Sequence, residues 1–210
     1  MTPRTILQWT AAIFFASAAF HFGVWILDGM PSLAGPVSWR KPMTFGLSSG
    51  LLSFTLAHVL GLMRPTRGLV RQAWLFSILL VTEVALIDLQ QWRGVASHFN
   101  SATPLDGAIF NTMGALISSV AVLIIVWTRA SFGPLATTRA YAWAIRAGMI
   151  LLNLGNFVGV YMAATQATGL KPVHGAMLHA IQAFPIAVWL VSRLIYPQIW
   201  VGGGHLLRPR

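Results

Sequence analysis

Six long apolar runs constrain this chain more than any other feature. They cover residues 5–27, 43–63, 73–92, 108–128, 141–163 and 174–196, and each is 20 to 23 residues long. About 20 residues carry a helix across a hydrocarbon layer of ~30 Å. A helix satisfies its own backbone hydrogen bonds where there is no water to do so, so helices are the expected form. Only 9% of the residues are charged. Soluble domains carry roughly a quarter, so this chain has too little charge to cover a surface facing water. The expected fold is all-α: a six-helix transmembrane bundle, one integral membrane domain over residues 1–210, with short connections. Residues 16–18, Ala-Ser-Ala, resemble a signal-peptidase site. The apolar run continues through Phe22, Val24, Trp25 and Leu27, so a retained first span is expected. The absence of cysteine excludes disulfides, iron–sulfur clusters and thiol catalysis.

Charge placement predicts orientation. Arg4, Arg64, Arg67, Arg71, Arg129, Arg139, Arg146, Arg193, Arg208 and Arg210 fall on one side of the six runs, with no acid among them. The other side holds Arg40, Lys41, Arg93 and Lys171, together with Asp28, Glu83, Asp88 and Asp106. Basic residues concentrate on the cytoplasmic side, which predicts N-in and C-in. The net charge of +10 then faces anionic lipid headgroups, so the expected partner is the lipid bilayer and not nucleic acid. Trp9, Trp25, Trp39, Trp74, Trp92 and Trp127 fall near the expected interfaces, where indoles form a belt.

Polar chemistry gathers on the outer side. The three outward segments read GPVSWRKP at 35–42, DLQQWRGVASHFN at 88–100 and KPVHGAMLHAIQ at 171–182. His21 and His179 each lie five or six residues inside a span, about 9 Å deep at 1.5 Å per residue. Glu83 lies deeper, where an ionised carboxylate costs roughly 2.5–3.5 kcal/mol even on lenient insertion scales. It should therefore face the interior and find a partner among His21, His179, Asn153 and Asn156. Glu83, Ile87 and Gln90 form one stripe of the third span. The expectation is an outward-facing polar pocket for a small anionic molecule or lipid headgroup. Arg40, Lys41 and Arg93 would hold the anion, and Glu83, Asp88 and His179 would handle protons. Gln91, His98, Asn100 and Gln182 complete the lining.

Plainer roles exist for the same residues. Asp88 and Arg93 suit a helix-end ion pair, and Arg40 and Lys41 suit headgroup anchors. Gly46 with Gly50, and Gly155 with Gly159, have the spacing of close helix packing. Two further functions are open: a haem or metal redox subunit using His21 and His179, and a proton-coupled transporter using Glu83. A purely structural subunit is a third. A zinc pair from His174 and His179 is disfavoured, because five residues turn them about 140° apart on a helix. The Ser-x3-His element of ceramidase-type hydrolases is not matched, since four residues separate Ser53 from His58.

The segments GPVSWRKPMTFG, QQWRGVASHFN with ATPLD, and HGAMLHAIQ together resemble those of an uncharacterised bacterial family of small polytopic membrane proteins. The resemblance covers residues 35–182 and implies a bacterial inner-membrane setting. It carries no reaction and no cofactor.

Overall fold

The computed structural model describes residues 1–165 and 167–195. It contains six α-helices: α1 (Pro3–Leu27), α2 (Arg40–Gly61), α3 (Arg67–Trp92), α4 (Pro104–Ser131), α5 (Arg139–Thr165) and α6 (Lys171–Ile195). A 3-10 turn, Thr168–Leu170, precedes α6. No strand occurs among the described residues. All six helices are long and apolar enough to cross a membrane, and the chain is a multi-pass membrane protein. Arg208, Arg210 and the last residue of the expected sixth span lie outside the described residues.

The helices overrun the apolar stretches because capping groups, not hydropathy, set their ends. α3 starts at Arg67, ahead of the apolar run at 73, because the Thr66 hydroxyl accepts the Leu69 N–H (3.1 Å). Thr2 caps α1 in the same way, at 3.1 Å from Thr5 N, with Pro3 in the first turn. Such caps satisfy N–H groups that the helix itself leaves open.

The chain forms two compact units. The first comprises residues 1–61 and 65–123. There α1 and α2 run antiparallel in close contact. A Cβ built on Gly46 would lie 2.9 Å from Ala18 Cβ, and one on Gly61 would lie 3.0 Å from Arg4 Cδ. α1 and α3 run parallel, joined where Thr10 donates to Ser77 Oγ (2.7 Å) and Ser17 donates to Asp88 Oδ2 (3.2 Å). Phe14, Leu56, Phe76 and Ile87 are fully buried between these helices.

The second unit comprises Leu62–Arg64 and the described residues from 124 onward. α5 packs on α6 through three glycines. A Cβ on Gly148 would meet Ile181 Cα at 2.7 Å, one on Gly155 would meet Met177 Cβ at 3.0 Å, and one on Gly159 would meet the His174 ring at 2.8 Å. Arg146, counted above with the loop cations, lies within α5. It donates from Nε to Ser131 O (2.9 Å) and from Nη2 to Gly133 O (3.2 Å), which caps the end of α4. Its guanidinium also lies over the Trp143 ring at 4.9 Å. Trp127 departs from the expected belt: it is 0% exposed, a core residue. Its position near a helix end suggested an interface, but that face of α4 is turned inward.

Candidate functional site

At one end of the first unit, α1 and α3 finish while α2 and α4 begin. Gly94 makes this geometry possible. Its φ of +69° is left-handed, a conformation glycine adopts without a Cβ penalty. The Gly94 N–H reaches Gln91 O (3.0 Å) and the Val95 N–H reaches Gln90 O (3.1 Å), closing the open carbonyls of α3. The chain then turns back towards α4. The ATPLD segment starts that helix: Thr103 Oγ1 accepts the Asp106 N–H (3.1 Å) and donates to Asp106 Oδ2 (2.7 Å).

Asp106 is buried and forms the hub of a first cluster. Its Oδ1 accepts from Arg93 Nη1 (2.8 Å) and from Gln90 Nε2 (3.2 Å). Arg93 Nη1 also donates to Gln90 Oε1. The ion pair of Arg93 is therefore with Asp106, and not with Asp88 as helix-end spacing suggested. Asp106 approaches because the 94–103 loop folds back, which separation along the chain does not reveal. Among the described residues, Arg93 Nε and Nη2 make no protein hydrogen bond, and the side chain keeps 31% exposure.

A second cluster lies on the same loop. Lys41 Nζ, from the first turn of α2, donates to Ser97 Oγ (3.1 Å). Ser97 Oγ in turn lies 2.9 Å from His98 Nδ1. The His98 ring packs against Phe45 at 5.5 Å between centroids and against Phe110 at 6.4 Å. Burial against these rings, with the Lys41 charge beside it, pushes the His98 pKa down to about 4. Asn100 braces the turn, donating to Ala96 O (2.9 Å) and accepting the Ala102 N–H (3.1 Å). Phe99 between them sits at φ +56°, a strained position for a bulky side chain. Arg40 donates from Nε to Leu33 O (3.0 Å) and remains exposed.

A third cluster joins α1 to α3. Trp92 Nε1 donates to His21 Nε2 (3.2 Å), and His21 Nδ1 faces Ser17 O (2.9 Å). An indole N–H only donates, so Nε2 is the acceptor and the ring proton lies on Nδ1. Asp88 Oδ2 accepts from Ser17, while its buried Oδ1 has no partner among the described residues. Trp39 lies 5.0 Å from Trp92 between centroids and donates to Asp28 (2.8 Å).

The expected site is thus brought together in part. Lys41, Arg93, His98 and Asn100 surround one loop, with Arg40 nearby. Gln91 is half-buried on α3. Glu83 is 5% exposed and has no hydrogen-bond or ion-pair partner among the described residues. Of the four partners expected for it, two are engaged elsewhere, His21 as above and Asn153 through Thr128 Oγ1 (2.7 Å) and Met149 O (2.8 Å), while the buried Asn156 Nδ2 has no partner among the described residues. His179 belongs to α6 in the second unit, where it is exposed and makes no hydrogen bond among the described residues. Gln182 is half-buried on the same helix. His174 faces Gly155 O through Nδ1 (2.8 Å).

These placements do not fit a haem or metal held by His21. Both of its ring nitrogens are engaged, and a ligand bond at Nε2 would displace the Trp92 N–H. Among the described residues no three His, Asp or Glu side chains are grouped to hold a metal ion. Ser97, Gln90 and Thr103 were not singled out from the sequence as site residues. The Thr-Pro-Leu-Asp spacing, a helix-start signal, was the available clue to Thr103 and Asp106. No family model matches the chain, and neither a curated protein nor a solved structure matches it.

Proposed function

We propose that this membrane protein binds an anionic group, a phosphate or carboxylate of a small molecule or lipid headgroup, at the end of its first unit. One observation carries this reading. The Lys41 ammonium donates to the Ser97 hydroxyl (3.1 Å) of this loop, beside an imidazole that burial and the lysine charge hold uncharged. Arg40 and Arg93 flank it with donors to share. A guanidinium with two free N–H edges suits an oxyanion. The Arg93–Asp106 pair fixes one wall, and Asn100 fixes the loop. The arginine-rich ends face the cytoplasm, so the site opens outward. The resemblance of its motifs to a bacterial family supports an inner-membrane location, and the bilayer is the constant partner. Nucleic acid is no partner in this reading, because the basic excess lies on the lipid-facing cytoplasmic rim.

The test compares the wild type with Lys41→Gln. A ligand at 100 times its Kd adds about 2.7 kcal/mol of stability, which raises Tm by roughly 5–10 °C in a chain of this length. Thermal unfolding in uncharged detergent, with added inorganic phosphate or with phosphatidylglycerol, should show such a rise for the wild type and its loss in Lys41→Gln. A response to phosphate indicates a soluble ligand, and a response to the lipid alone indicates a headgroup. Equal shifts in both proteins would refute the assignment.

A further inference from the structure

The opposite end of the first unit, where α1 and α3 begin, holds a groove of about 420 Å³ between those two helices. Its walls are Ile6, Trp9 and Ile13 of α1 and Trp74, Ile78 and Val81 of α3, with Met1 ahead of α1 at its mouth. Trp9, Ile13, Trp74 and Ile78 are exposed. The buried Thr10 and Ser77 form the floor. Thr10 Oγ1 donates to Ser77 Oγ (2.7 Å) and also lies 3.0 Å from Ile6 O, and Ser77 donates to Ala73 O (2.8 Å). Both hydroxyl protons are thus used within the floor, and the groove presents mainly carbon to an occupant.

Such a space exceeds a packing defect, because close-packed interiors leave few voids larger than a water molecule. Water is a poor occupant: an ordered water takes about three hydrogen bonds, and the floor has no donor left to offer. An empty groove is no better, since its lining would forfeit dispersion contacts. The walls are exposed on helices long and apolar enough to span the bilayer, so lipid hydrocarbon borders them. The depth also matches one leaflet. From Arg71 to Val81, α3 rises about 15 Å at 1.5 Å per residue, half of a ~30 Å hydrocarbon core.

Charge at the mouth points to the headgroup. Arg67, Arg71, Trp74, Ile78 and Val81 recur at intervals of three and four residues, so they share one face of α3. The two arginines therefore continue the groove wall beyond its indole. Both are exposed, and neither side chain has a hydrogen bond or ion pair among the described residues. The first acid beyond Arg71 on α3 is Glu83, about 18 Å deeper, and Asp28, Asp88 and Asp106 belong to the opposite end. Guanidinium groups without a counter-charge suit a phosphate, and basic residues beside a membrane attract anionic lipid. We propose that the α1–α3 groove binds one acyl chain of an anionic phospholipid, whose phosphate is held by Arg67 and Arg71. The site is independent of anion binding at Lys41.

Native mass spectrometry of the full chain tests this, with phosphatidylglycerol or phosphatidylcholine of the same acyl chains added in uncharged detergent. The wild type should retain a phosphatidylglycerol in preference to phosphatidylcholine. Arg67→Gln combined with Arg71→Gln should weaken that preference by roughly tenfold to thirtyfold, the scale of two basic residues at an anionic headgroup. Ile78→Trp, which fills the groove, should lower retention of both lipids. Leu75→Trp, on the exposed surface of α3 outside the groove, should not. Lys41→Gln should keep this lipid, which separates it from any held at the polar end. The proposal is overturned if the wild type retains the two lipids equally, if the paired arginine replacements have no effect, or if Ile78→Trp binds as the wild type does. It is equally overturned if Leu75→Trp or Lys41→Gln abolishes retention, since the lipid then lies elsewhere.

Discussion

His98 shows what a single side chain contributes to the candidate site. Packed against Phe45 and Phe110 with a lysine nearby, it is held uncharged down to a pH of about 4, against 6.5 for an unperturbed imidazole. Between these values the unfolded chain binds a proton that the folded chain refuses, so stability falls as the pH is lowered through the window. The slope is at most about 1.4 kcal/mol per pH unit. Chemical unfolding at pH 7 and pH 4.5 should show this loss in the wild type and a smaller one in His98→Asn. An equal loss in both would place the acid sensitivity elsewhere. The sequence identified His98, Lys41, Arg93 and Asn100 as polar residues at a shared end, because depth along a span can be counted. It did not identify their partners. Asp106 lies 13 residues from Arg93 and Ser97 lies 56 from Lys41, and such pairings depend on a loop path that no residue period encodes. Glu83 was correctly expected to face inward, since its stripe is buried, yet none of the partners suggested by depth bonds to it: His21 and Asn153 are engaged by nearer groups, and His179 and Asn156 belong to the second unit.

At the level of the helices, apolar length located all six spans, while their ends followed capping residues such as Thr66 and Thr103. The glycine pairs at 46 and 50 and at 155 and 159 were legible from spacing and do sit where helices touch. Gly148 was not singled out, although Ala144 four residues before it supplies a second small residue at that interval; a search for glycine pairs alone passes over it. It nevertheless makes the tightest backbone approach between α5 and α6, at 2.7 Å from Ile181 Cα for a built Cβ. Gly148→Val must push the two helices apart, and overpacking of this kind costs about 1–3 kcal/mol. Detergent-resistant unfolding should report a lower midpoint for Gly148→Val than for Gly114→Val, where a Cβ meets nothing within 4 Å. Equal midpoints would mean that the α5–α6 contact contributes little. Trp127 was misread for a related reason: distance from a helix end says how deep an indole lies but not which way it points.

For the whole molecule the open quantity is orientation, which rests on arginine placement. The lack of native cysteine allows a direct check with single introduced thiols. Ser101→Cys lies in the α3–α4 loop and Ala136→Cys lies before α5, at opposite ends of α4 and both exposed. A membrane-impermeant maleimide added to intact cells should label the first and spare the second; the reverse pattern would invert the topology and turn the Lys41 cluster inward. Arg146 bears on how this arrangement is reached. The carbonyl of Ser131, at the end of α4, and that of Gly133, just beyond it, accept hydrogen bonds from a side chain that is synthesised after them. While the ribosome is still short of that codon, the end of the fourth helix has only water for a partner and is free to unwind. Arrival of residue 146 closes it, so the fourth and fifth segments should settle into the bilayer as a pair, and a nascent chain stopped between them should remain open to protease at its trailing edge.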